Sequence, residues 1–240
     1  PMLGGIFYQS IGVTAAYTIA AFFYLLAFYC VAGVTYEQPR RALVARQLWA
    51  QILEAVHIAL RHPALRAVLG ITLVMNIFGF SYNSILPAFG DIAFHATAVE
   101  IGILAAAEPF GALLAGLALA LRRGPQPGRR LLLWGSAAFL LVLVLAALAP
   151  KLWLAALLLV IGGLGIAAFA SLQSGIVIME APLEARSRIL GLTTTCIGTG
   201  PLGVLAVGAL ADAIGPPIAI ASFALLGLVG VVIVTLMTRR

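Results

Sequence analysis

Polar residues are so sparse that the chain reads as long apolar runs separated by short breaks. The runs lie near Ala15 to Val34, Ala67 to Phe89, Val99 to Leu121, Leu131 to Ala149, Leu152 to Met179, Ile189 to Ala211 and Ile218 to Met237. Each is close to the ~20 residues a helix needs to cross a bilayer's hydrocarbon layer. None alternates with period two, so the pattern predicts about seven spanning helices and not barrel strands. Only Thr35 to Arg66 breaks the rhythm with a long polar stretch. Its middle has helical period: Leu48, Trp49, Ile52, Val56, Ala59 and Leu60 share one side, and Arg46, Glu54, His57 and Arg61 the other. That predicts an amphipathic helix lying on the membrane surface or against the bundle floor, with docking of a partner as the alternative.

Composition removes the soluble alternatives. The 240 residues are 63% apolar and 9% charged, with a mean hydropathy of +1.13, whereas soluble domains average about 45–50% and about 25%. An excess of this size has no place in one water-facing domain, which excludes soluble enzymes and nucleic-acid binders. The net charge of +6 carries its information in position. Thirteen arginines fall in alternate loops or at the C-terminus, and Lys151 is the one basic residue in the opposite set. By the positive-inside rule the linker and C-terminus are cytoplasmic, while Asp91 to Glu100, Pro150 to Lys151 and Asp212 to Pro217 face outward. His57, His62 and His95 are scattered, so no metal or other cofactor is expected. Cys30 and Cys196 sit in apolar runs and read as packing residues. Gly162-Gly163-Leu164-Gly165 and Gly198-Thr199-Gly200-Pro201 follow no strand, and read as points of close helix crossing or bending, not as phosphate loops.

Within the spans, Glu108 is the one charge set deep in a run. A carboxylate there costs about 3 kcal/mol on insertion scales, so its presence asks for a reason. Ala105, Gly111, Ala112 and Ala115 around it leave room for a neighbouring helix or a cavity. The functional reading is a proton-coupling or cation-recognising acid, and the alternative is an interhelical hydrogen bond. On an ideal helix Thr72, Asn76 and Asn83 fall within about 40° of one another, with Gly79 alongside and Tyr82 close by. Such a stripe faces either a wet cavity or a neighbouring helix. The fifth run carries Gly163, Ala167, Ala170, Ser171 and Ser174 on one small-residue arc, read first as tight packing, with Gln173 at its edge.

A faint internal repeat links the ends. Gly5 to Gly12 overlays Gly208 to Gly215 at a constant offset of 203, and one span follows each. Six spans per repeat is the period of parallel-repeat transporters. The chain resembles the major facilitator superfamily, nearest to its enterobactin-exporter-like and macrolide-efflux-like branch. The residues that carry this are Pro1-Met2-Leu3-Gly4-Gly5, Arg61-His62-Pro63-Ala64-Leu65-Arg66, Asn76-Ile77-Phe78-Gly79 with Leu86-Pro87, Gly128-Arg129-Arg130, Pro182 to Arg188, Gly200-Pro201-Leu202-Gly203 and Gly208 to Asp212. Ser187 stands where the family usually has glycine, and the acid usual before Gly128 is absent.

The resemblance implies an all-α bundle holding the C-terminal part of a twelve-helix transporter. Residues 1–34 would be the end of helix 5 and helix 6, 35–66 the linker, and 67–240 helices 7 to 12. It also implies a secondary active, proton-coupled exporter of small amphipathic molecules of drug, macrolide or siderophore type, in a bacterial inner membrane. The bilayer, the small-molecule substrate and the rest of the N-terminal half would be its partners. On this basis Glu108 is the proton-coupling candidate, and Thr72, Asn76, Tyr82, Asn83 and Gln173 line the substrate path. Glu180, Glu184, Arg186 and Arg188 form a cytoplasmic charge lock, for which plain surface pairing is the alternative, and Gly200, Pro201 and Gly203 mark a flexing helix. The competing functions are a non-transporting receptor or scaffold and, more remotely, a membrane-embedded enzyme. The latter would need a His, Asp or Ser constellation that the spacing does not supply.

Overall fold

The computed structural model describes residues 2–33, 45–121 and 128–238, with side chains described from residue 12 onward except at 16 and 45–49. Arg40, Arg41, Arg122, Arg123, Arg239 and Arg240 lie outside the described residues, as do the side chains of Arg46, Leu48 and Trp49 and of the Met2 to Gly5 motif. The described residues form helices α1 (Met2–Ala32), α2 (Ala45–Arg61), α3 (Pro63–Val74), α4 (Tyr82–Phe94), α5 (Ala98–Leu121), α6 (Arg129–Ala147), α7 (Leu152–Glu180), α8 (Arg186–Ile197), α9 (Gly200–Ile214) and α10 (Pro216–Met237). A π-helical turn, Met75–Gly79, sits between α3 and α4. Taken as continuous rods they give seven helices long and apolar enough to cross a membrane, one for each run in the sequence. The protein is an all-α integral membrane protein.

Local chemistry sets the breaks. Pro63 opens α3 just past the linker helix, at a position where its missing N–H costs nothing. α4 ends on His95 in the left-handed conformation, with the His95 and Ala96 amides returning to Asp91 and Gly90. α5 then starts with a reciprocal cap: the Glu100 carboxylate accepts from the Thr97 amide at 2.8 Å, and the Glu100 amide donates to the Thr97 hydroxyl. The sixth run divides at Gly198 and Thr199, with Pro201 in the first turn of α9. Gly12 (φ 81, ψ 170) and Gly215 (φ 83, ψ 151) share one left-handed backbone geometry. These are the last residues of the two octets that overlay at an offset of 203, and each turns the chain into another spanning helix. Glycine adopts this conformation without a Cβ penalty.

Lipid tails are as apolar as leucine, so close packing and not water exclusion holds such helices together. α7 is the pivot. A Cβ on Gly163 would lie 2.2 Å from the Glu108 carbonyl oxygen, and one on Gly111 would lie 1.9 Å from that of Val160. Thus α5 and α7 touch backbone to backbone. On another side of α7, a Cβ on Gly165 would lie 2.3 Å from the Gly135 carbonyl, which brings α6 equally near. Phe139, Leu140 and Leu143 of α6 fill the adjoining core with Leu159, Ile166 and Phe169 of α7. α10 closes this core through Gly227 and Gly230, against Leu140 and Val74. The α1 side chains from Tyr17 to Val31 stay exposed apart from half-buried Ile19, and exposure of Cys30 corrects its reading as a packed residue.

α2 forms where the period predicts, but it seats itself differently. Its buried residues are Ala55 and Ala59, whereas Ile52, Leu53 and Leu60 remain exposed. The helix sits down on its small residues because a closer approach to α3 and α8 is open to alanine than to leucine. Ile58 is half-buried against the core, while Ile52, Leu53 and Leu60 are left pointing away from the bundle.

Candidate functional site

Glu108 lies about midway along α5 and is only 8% exposed. The Tyr82 hydroxyl, at the first turn of α4 and itself 2% exposed, donates to its carboxylate at 2.8 Å. Asn83 stands beside the same carboxylate and is otherwise exposed. No lysine, arginine or histidine pairs with Glu108 among the described residues. Two prolines add polarity to the neighbourhood. Pro87 and Pro109 have no N–H to return to the carbonyls of Asn83 and Ala105, four residues earlier. A lone acid, a tyrosine and an amide therefore meet in mid-membrane, on two helices that each carry one carbonyl short of its usual donor. Such a set can hold a proton or a cationic group.

The expected stripe of Thr72, Asn76 and Asn83 does not form. The π turn shifts the helical register between Asn76 and Asn83, so the two ends of the stripe point to different neighbours. Thr72 is fully buried and accepts a hydrogen bond at 2.8 Å from the Gln173 amide of α7. The Asn76 amide turns back to the Thr72 carbonyl at 2.8 Å, giving the loosened π turn a donor. Gln173 and Thr72 are thus joined to each other, at a separate place from Glu108, Tyr82 and Asn83.

The small-residue arc on α7 divides as well. Gly163 and Ala167 are buried, while Ala170, Ser171 and Ser174 are exposed. Beyond the Gly111 and Gly163 crossing the helices part, leaving an open groove of about 440 Å³ lined by Gly116, Leu117, Ala120, Ala167, Ala170 and Ser171. Gly203, expected in a flexing helix, is a contact point. A Cβ there would lie 2.1 Å from the Ile77 carbonyl of the π turn. The break in the helix lies before Gly200 and Pro201, at Gly198 and Thr199.

At the arginine-rich end, Glu180, Glu184, Arg186 and Arg188 do not lock onto one another's side chains. Arg188 pairs with Glu54 of α2 at 2.5 Å and donates to the Glu184 carbonyl at 3.0 Å. Glu180 faces His62, just after α2, at 3.6 Å. Arg186 and the Glu184 carboxylate form no ion pair among the described residues. These contacts tie the linker helix to the junction of α7 and α8, so the charges cross between segments that the sequence keeps far apart. Two more arginines cap α10: Arg66 donates to the Met237 carbonyl, and Arg129 to that of Thr238 at 2.6 Å. They satisfy helix-end carbonyls and complement the negative end of the dipole.

A family model described as transmembrane secretion effector matches residues 1–240, the whole chain. The chain belongs to that family, within the major facilitator superfamily. No curated protein and no solved structure matches it. Membership gives the chain a role in transmembrane transport, in keeping with its seven apolar helices.

Some contacts of the site leave no trace in the sequence. Tyr82 and Glu108 each stand out in the sequence, but nothing in a spacing of 26 residues signals that they bond. Glu54 reads as a solvated charge until α2 is docked. Pro109 is a legible signal: a proline directly after the one deep acid marks the turn of α5 where the backbone ladder is weakened.

Proposed function

We propose that the chain is part of a proton-coupled secondary exporter of small amphipathic molecules, with Glu108 as the proton-binding group. Residues 67–240 form its C-terminal six-helix half, 35–66 the linker, and 1–34 the end of the preceding half; the C-terminus lies in the cytoplasm of a bacterial cell. The observation that carries this reading is a mid-membrane carboxylate held by the Tyr82 hydroxyl, with no cation paired to it among the described residues. Without a counter-ion, its charge state depends on whether water reaches it, and alternating access changes that water supply twice per cycle. Tyr82 can donate to the acid whether or not a proton is bound, so the site survives both states. The open groove between α5 and α7, beyond the Gly111 and Gly163 crossing from this acid, supplies an apolar, small-residue surface for an amphipathic substrate.

The test is pH-gradient-driven efflux of ethidium from proteoliposomes that hold the complete exporter of which this chain is part. Glu108→Gln keeps the size and the acceptor for Tyr82 but cannot exchange a proton. It is expected to abolish gradient-driven efflux while leaving dye binding intact. Wild-type coupling in that variant would remove Glu108 from the mechanism. Absence of dye movement by the unmodified complete exporter would remove lipophilic cations such as ethidium from its substrates.

A further inference from the structure

On the outside of the bundle, α6 and α10 part toward the arginine-rich end to leave a groove of about 470 Å³. Its mouth is formed by Arg129 and Arg130, and its walls by Trp134 and Ala137 of α6 and Val232 and Leu236 of α10. Trp134 is 71% exposed, and Val232 and Leu236 more than half, so the groove opens outward among side chains that face hydrocarbon. The walls offer almost nothing polar. The Thr235 hydroxyl is spent on the Val231 carbonyl at 2.7 Å, and the Thr238 hydroxyl on that of Val234 at 2.8 Å. Positive charge is confined to the mouth. Arg130 is exposed, and one Nη of Arg129 caps α10 while the rest of its guanidinium keeps further donors. The N-terminus of α6 opens at the same place and adds its partial positive charge.

An anionic head joined to an apolar tail matches this layout. From Arg129 to Ala137 the α6 wall runs about 12 Å, enough for the upper half of an acyl chain. Arg130 and Trp134, one turn apart, form the arginine-over-aromatic step found at membrane interfaces. We propose that this groove is a binding site for an anionic phospholipid, with its phosphodiester on Arg130 and the free donors of Arg129 and one acyl chain between α6 and α10. A free phosphate would use the mouth and leave the apolar groove without a role. The inference is independent of which substrate is exported.

The experiment is native mass spectrometry of the protein in detergent, titrated with phosphatidylglycerol and phosphatidylcholine of identical chains. The unmodified protein is expected to retain phosphatidylglycerol at least about fivefold better, the worth of one arginine near an anionic headgroup. Arg130→Gln, which leaves the Arg129 cap on α10 untouched, should bring the two lipids close to parity. Ala137→Phe fills the groove without altering charge and should also lower phosphatidylglycerol retention. Equal retention of both lipids by the unmodified protein, or undiminished phosphatidylglycerol retention in either variant, overturns the site. Displacement of the lipid by millimolar inorganic phosphate as readily as by phosphatidylglycerol would reduce it to a free-anion site and likewise overturn it.

Discussion

Replacing Gly163 by alanine tests whether backbone contact between α5 and α7 organises the protein. The added methyl would lie 2.2 Å from the Glu108 carbonyl oxygen and 2.6 Å from the Ala112 nitrogen. Both obstacles are backbone, so no rotamer change relieves them. To reach ordinary contact at 3.4 Å the helices must part by about 1 Å, which loosens every contact along the seam. Overpacking of this kind costs about 1–3 kcal/mol, and two backbone clashes put Gly163→Ala at the upper end. Alanine's better helix propensity returns at most ~1 kcal/mol. At roughly 2–4 °C per kcal/mol for a chain of this length, the Tm in detergent should fall by roughly 4–10 °C. Gly191→Ala is the control, because nothing lies within 4 Å of a Cβ there, and its Tm should stay level or rise slightly. The obstructing carbonyl is that of Glu108 itself, so the same change strains the Tyr82 bond and should weaken proton coupling. Equal Tm values for the two variants, measured by intrinsic fluorescence, would refute the claim that this crossing is a close-packed seam.

Two other outcomes are expected. The tether between α2 and α8 predicts a double-mutant coupling of about 0.5–1 kcal/mol between Glu54→Lys and Arg188→Glu in thermal unfolding, small because both side chains are partly exposed; additive single effects would mean the pair is not a tether. The arginine asymmetry predicts that an impermeant thiol reagent applied to intact cells labels His95→Cys and spares Gln126→Cys, and the opposite pattern would invert the orientation.

The sequence alone determined the class of the protein, the seven spans, the linker helix and the family resemblance. These are matters of composition and of periods along one dimension, and the bilayer enforces them: a hydrocarbon slab of fixed thickness dictates the length of each run, and unpaired backbone groups are not tolerated inside it. It also singled out Glu108, because one charge in a long apolar run stands out against its surroundings. The repeat between Gly5 to Gly12 and Gly208 to Gly215 was a weak match of common residues, and it gained weight only when both terminal glycines took the same left-handed geometry.

Tertiary structure decided who meets whom. Thr72, Asn76 and Asn83 made one stripe on an ideal helix, and a single π turn sent Thr72 to Gln173 and Asn83 to the side of Glu108. The four charges near the junction of α7 and α8 looked sufficient for a lock, yet Glu54 of the linker helix and His62 just after it pair with Arg188 and Glu180. α2 turned Ala55 and Ala59, not Leu53 or Leu60, toward the bundle. The physical reason is common to all three. A helix in lipid gains little from hiding apolar side chains, so its orientation follows how closely backbones approach and which polar groups find partners, and both depend on neighbours distant in the chain.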